Sequence, residues 1–246
     1  MTEKILKQIH GGEQGAFAKY RELHVGRAGF AYLVRYELCM LLLKNLPGML
    51  GLFLRKVFYR GLFKRAGKGV LIGAGVALRC PLSIDLGDHV VLDDGCVLDA
   101  KGTDNAGITV GSDVFVSRNA IIACKGGSIA LGSRVSIGPN CVLQSVGPAA
   151  LRIGDGVMVA SNCHLIACGD YRIERTDVPM MEQGVEPGLG IEIERDVWLG
   201  SSVVVLDGAR IREGAVIGAM SLVRGEIPPR TVAVGRPAVV RRERGK

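Results

Sequence analysis

Four histidines are the side chains of this 246-residue chain best suited to move a proton at neutral pH: His10, His24, His89 and His164. An ordinary imidazole titrates at about 6.5, which suits a general base. The four are scattered and two precede residue 30, so a zinc site of three convergent histidines is not expected, nor any other metal. His164 stands apart because it closes the segment VASNCH just before a long polar insertion, CGDYRIERTDVPMMEQGVEPGLG, at residues 168–190. Asp170 and Tyr171 open that insertion. A carboxylate serves as a base if burial raises its pKa, whereas a phenol at about 10 is a poor one. The other charged residues of the insertion can bind sugar hydroxyls or form a solvated rim. Seven cysteines occur without a CxxC pair, so neither a disulfide nor a zinc framework is expected.

The elements that must position these groups are written as a ladder of six-residue steps from Ile84 to Val223. It reads LGDHVV-LDDGCV-L, VGSDVF-VSRNAI-I, LGSRVS-IGPNCV-L, IGDGVM-VASNCH-L and IERDVW-LGSSVV-V, and it continues to Val223. A fixed period decides the architecture before any other feature. Three steps make one turn of a parallel β-solenoid, with aliphatic residues pointing inward and Gly or Asn at the corners. Cys96, Cys141 and Cys163 share the small-residue step with Ala120, Val203 and Ser221, and are expected to be buried thiols. Low aromatic content, 5%, and 35 glycines suit thin aliphatic layers. Two insertions break the period, 101–107 and 168–190. A loop as long as the second in an ordered body usually carries function.

Charge divides the chain. Residues 1–66 hold 12 Lys/Arg against 4 Glu, whereas 67–246 hold 19 against 20 Asp/Glu. The repeat body is therefore not basic, and nucleic acid is not expected as a partner. The apolar run Leu38–Leu54 is broken by Lys44, Asn45, Pro47 and Gly48. It is too interrupted for a spanning helix. Two short amphipathic helices with a Pro-Gly bend are expected within 30–65. The second mixes Arg55, Lys56, Arg60, Lys64 and Arg65 with large apolar residues. Such a segment lies on an anionic membrane, or caps the end of the solenoid, or does both. The expected divisions are a basic helical segment at 1–66, the repeat body at 67–230 and a basic tail at 231–246. No signal-peptide pattern is read, so the expected location is cytoplasmic, peripheral on the inner face of the membrane.

The ladder, the long insertion and the stretch IEIERDVWLGSSVVVLDGARIREGAVIGAMSLVRGEIPPRTVAVGRPA resemble the hexapeptide-repeat acyltransferases over about residues 70–242. The nearest likeness is to the galactoside, maltose, colanic-acid and capsule O-acetyltransferase branch. The resemblance implies a left-handed β-helix. The general preference for right-handed crossovers, about 98%, means that this hand rests on the resemblance alone. It also implies a homotrimer, acetyl-CoA or another acyl-CoA as co-substrate, and a sugar hydroxyl as acceptor. Within the chain, apolar residues at the last step (Val97, Ile121, Val142, Val204, Val216 and Leu222) point outward and suit cover by a neighbour. By resemblance, Asn140 is a site residue, and Trp198, Ser201, Ser202, Ala219, Ser221, Arg224 and Arg241 face the donor.

Two positions depart from the family pattern. The histidine on the family's loop falls on Gly169, Asp170 or Tyr171 here, with Asp170 in the ungapped register, and the tail arginine is Val239. Arg241 and Arg242 stand near the latter. Three readings of the former follow. His164 is the base; Asp170 or Tyr171 is; or the protein is a catalytically silent scaffold. Transfer to an amino sugar, an N-acyl reaction, needs less help from a base and stays open as well.

Overall fold

A computed structural model describes residues 15–26, 29–102 and 106–246. His10 and part of the first insertion lie outside the described residues. The repeat body is an all-β solenoid, a left-handed parallel β-helix of seven full turns and part of an eighth. Every turn contributes one short strand to each of three faces. The first face runs from Arg65–Ala66 to Glu226–Ile227, the second from Leu71–Ile72 to Thr231–Val234, and the third from Ala77–Arg79 to Leu222–Val223. All pairs between turns are parallel, so each strand's amides bond to the turns above and below. The last strand, Val239–Glu243, instead turns back antiparallel on Thr231–Val234.

The six-residue period works because the first and fifth residues of each step point inward. Leu86, Val90, Leu92, Cys96 and Leu98 are all fully buried, and the pattern recurs in every turn. Cys96, Cys141 and Cys163 are free thiols in that core; burial pushes the Cys96 thiol up to about 11. Each corner between the second and third faces needs one residue in the left-handed region. Asn119, Asn140, Asn162, Ser202 and Met220 occupy it, with φ of 58–61°. Asparagine tolerates that conformation better than most residues, and Asn119 Nδ2 donates to Asn140 Oδ1 at 3.3 Å. The backbone at this corner is thus enough to account for an asparagine at 140.

The expected helix pair is present as α1 (Phe30–Leu42) and α2 (Gly48–Phe58), separated by the bend at Pro47. No helix among the described residues is long and apolar enough to cross a membrane. The pair caps the open end of the prism. Tyr36 Oη donates to Leu78 O at 2.7 Å on the third face. Arg55 Nε donates to Ile72 O at 2.9 Å on the second, and the turn Tyr59–Leu62 runs directly into the first. Arg55, one of the cations of the second helix, turns inward. It is 2% exposed, and its Nη1 also donates to Leu43 O and Leu46 O at 2.9 and 2.7 Å. Tyr59, Leu62 and Phe63 are buried with it.

Candidate active site

The long insertion leaves the fifth turn at the end of the third-face strand His164–Ala167 and rejoins the first face at Ile191–Ile193. It is an arm with zipped sides. Tyr171 bridges Val185 antiparallel, Glu186 N donates to Asp170 O at 2.9 Å, and Arg172 pairs with Glu186. Its base is pinned by residues the sequence shows only as ladder steps. Asp207 accepts from the amides of Leu189 and Gly190 at 2.6 and 2.8 Å, and Arg210 donates to the carbonyls of both. A Cβ at Gly169 would sit 1.6 Å from Glu186 O. A side chain at this position would require the arm's backbone to shift.

His164 lies in the outward row of the third face, paired in register with Val142 below and Val204 above, and is exposed. Its position in an apolar row, one turn corner from Asn162 and Ser202, is as the period predicts. Asn140, Ser201, Ser202 and Ala219 follow the same edge of that face, the corner entering it. Asp170 and Arg224 lie on the opposite edge, the corner leaving it. Three strand steps, roughly 10 Å, separate His164 from the arm's base, so the structure splits these residues between the two edges of one face.

Asp170 is exposed in the single chain. Its carboxylate meets Arg224 Nη2 at 2.7 Å, with the two side chains 72% and 63% exposed. Arg224, expected to meet donor phosphates, is thus paired to the arm. Ser221 is corrected too. It is 1% exposed, and its Oγ accepts from Gly235 N at 3.0 Å, so it holds the last turn in place instead of facing a ligand. Trp198 is 48% exposed in the outward row of the second face, between Met158 and Val216. Arg241 is exposed on the terminal strand, beyond that face's last turn. Val216 shares the row of Trp198, whereas the other five residues grouped with it lie in the row of His164.

Cys168, at the arm's base, is half-buried. Burial, then Asp207 and Asp170, push its thiol above the ordinary range, and the thiolate is the reactive form. Iodoacetamide should therefore modify native protein slowly at pH 8, with Cys168 reacting faster as pH rises. Rapid labelling of Cys168 at pH 7, read by peptide mass, would contradict this. Among the described residues no group of three or more His, Cys, Asp or Glu is placed to hold a metal ion.

No family model matches the chain. It is 31% identical over 169 residues to a probable acetyltransferase of Mycobacterium tuberculosis, covering 66% of this chain and 55% of that protein. It is 36% identical over 116 residues to the galactoside O-acetyltransferase of Escherichia coli, covering 46% and 55%. WbbJ, the Escherichia coli protein named as a lipopolysaccharide biosynthesis O-acetyl transferase, is 30% identical over 139 residues, 46% of this chain and 71% of that one. The chain spans little more than half the length of the first curated relatives it matches. Among solved structures, AntD, an N-acyltransferase from Bacillus cereus in complex with dTDP-4-amino-4,6-dideoxyglucose and coenzyme A, superposes with a TM-score of 0.53 at 21% identity, covering 79% of this chain and 88% of that one. That similarity concerns the fold. Taken with the six-residue ladder, the interrupting arm and the coverage of WbbJ, it places the outcome plainly: the chain belongs to the hexapeptide-repeat acyltransferases.

Proposed function

We propose that this chain is a CoA-dependent O-acyltransferase. It moves an acyl group, acetyl in the first instance, from acyl-CoA to a sugar hydroxyl in surface-polysaccharide or lipid-linked glycan assembly. The observation that carries the reading is His164, an outward histidine in an apolar row of the turn that launches the arm. In the reaction the acceptor oxygen attacks the thioester carbonyl while the His164 imidazole takes its proton. Backbone N–H groups hold the oxyanion. Collapse expels the CoA sulfur, which takes the proton back from the imidazolium. No covalent enzyme intermediate is needed.

The same reading makes the protein a homotrimer, peripheral to the cytoplasmic face of a membrane. Two faces support the trimer. The third face's outward row is Val97, Ile121, Val142, His164, Val204 and Leu222; the second presents Phe115, Met158, Trp198 and Val216. The first face instead carries Asp85, Thr109, Arg152, Glu192, Arg210 and Glu226. Two different apolar faces and one charged face are what a closed ring of head-to-tail contacts uses. Sedimentation equilibrium should return three times 26.1 kDa, and a monomer would overturn the trimer.

One observation favours a second reading. In the ungapped register Asp170 stands at the family's histidine position, and it is tied to Arg224, as a silent scaffold or an N-acyltransferase would tolerate. Calorimetry with acetyl-CoA and thiol-release assays with sugar and amino-sugar acceptors separate the three. Absence of CoA binding removes both enzymatic readings. Binding without turnover favours the scaffold, and turnover with amines alone favours N-transfer.

A further inference from the structure

The outer side of the helical cap is apolar and has nothing of its own chain upon it among the described residues. Phe30, Leu38, Leu41, Met49, Leu50 and Phe53 are all more than half exposed, with Met49 at 86%. Leu38 also lines an open groove of about 600 Å³, with Ala31, Val34, Arg35, Leu42 and Phe58. Arg35 lines that groove, Lys56 and Arg60 line a second one beside Phe53 and Val57, and Lys64 is exposed beyond the turn in the same segment. The sole carboxylate from 29 to 66 is Glu37, which accepts from Tyr20 Oη at 2.6 Å. A second copy docked on this face would press cations against cations. An anionic bilayer satisfies both features, since large apolar side chains enter the acyl boundary while Lys and Arg meet lipid phosphates.

Orientation follows from which strands the helices cover. Their buried sides touch the first strand of all three faces, through Arg55, Tyr36 and the turn at Tyr59–Leu62. The cap therefore closes the end of the prism, and its free side points along the prism axis. We infer that the cap is a foot that stands the solenoid upright on an anionic membrane and holds the arm at a fixed height above it. The arm leaves the fifth strand of the third face, four strand spacings from the first. That is roughly 19 Å, to which the cap adds about one helix diameter, 10 Å, less the depth to which it sinks. In a cyclic trimer with parallel axes all three feet face the same bilayer, which multiplies weak single contacts.

This inference rests on the sugar-acceptor reading for its meaning: the hydroxyl that is acylated lies some 20–30 Å from the headgroups, on a glycan several units removed from its lipid anchor. A sugar attached directly to the lipid phosphate would not reach.

The test needs no catalysis, so its failure is distinct from failure of the acyltransferase reading. Full-length protein is floated with vesicles of phosphatidylcholine alone or mixed with phosphatidylglycerol, at low salt. The expected gain with the anionic lipid is about tenfold or more, lost on Met49→Glu with Leu50→Glu, exposed positions whose change leaves the core intact. Depth is then read with brominated lipid. Trp198 is the chain's single tryptophan and lies on the sixth strand of the second face, so its fluorescence should be unquenched. Leu50→Trp in a Trp198→Phe background should be strongly quenched. No flotation of the full chain on anionic vesicles overturns the docking surface. Quenching of Trp198 as strong as that of Leu50→Trp means the prism lies on its side and overturns the height.

Discussion

Replacing His164 with alanine is expected to lower kcat by about a hundredfold or more while acyl-CoA still binds. A hundredfold corresponds to about 2.7 kcal/mol of transition-state stabilisation. The side chain is exposed in the outward row, and its inward neighbours Cys163 and Leu165 carry the packing. The substitution should therefore leave melting nearly unchanged, which separates lost chemistry from lost fold. His164→Gln keeps bulk and hydrogen bonding without a titrating nitrogen, and should also abolish the acid limb of the pH–rate profile. A merely structural histidine would be rescued by glutamine and would leave that limb in place. Asp170→Asn gives the opposing arm of the experiment. It removes an exposed ion pair with Arg224, and such pairs contribute about 1 kcal/mol or less, so a loss of a few-fold is expected. A His164→Ala enzyme within a factor of about two of wild type, beside a collapsed Asp170→Asn, would move the base from the strand to the arm.

The parts of this molecule that repeat were readable, and those that pair once were not. The period of six put Leu92, Cys96 and Leu98 inside and Val97 outside, because an inward slot recurs at the same step in every turn. The same regularity located His164, which shows itself by being the polar member of an apolar row. The arm could be bounded, at 168–190, because the period stops and restarts. Its attachments could not be read. Asp207 clasping the amides of Leu189 and Gly190 looks in sequence like any corner aspartate, and the contact of Asp170 with Arg224 spans 54 positions. The family resemblance carried Ser221 to the donor side, yet that step of the hexad points inward, and its row-mates Cys163 and Val203 already said so. Asn140 shows the opposite ambiguity, since a left-handed corner and a ligand contact both select asparagine.

Arg55→Leu is expected to cost about 3 kcal/mol or more and to release the cap without unfolding the solenoid. The guanidinium is buried with three carbonyl acceptors, Ile72, Leu43 and Leu46, at 2.7–2.9 Å. Two of these close the end of α1 and the bend after it, where no helical amide is available. The third belongs to the first strand of the second face, so one side chain joins both helices to the prism. Burial pulls the guanidinium below its ordinary range, but the group remains a cation. Hydrogen bonds from a charged donor contribute about 1.5–3 kcal/mol each, offset in part by the cost of desolvating the charge. Leucine recovers some apolar contact but takes the guanidinium donor from all three carbonyls, of which Leu43 O keeps the Leu46 amide at 3.3 Å. Lysine retains the charge yet lacks the forked geometry that reaches across the bend, so Arg55→Lys should fail nearly as badly. A solenoid transmits stability mainly between neighbouring turns. Hydrogen exchange should therefore accelerate through α1, α2 and the first turn, while Asp207, Arg210 and the arm's base keep their protection. Vesicle binding should fall with the cap, and acyl transfer to a soluble sugar should persist. Uniform loss of protection along all seven turns would mean that the cap and the prism unfold as one unit, and that the foot cannot be removed without the body.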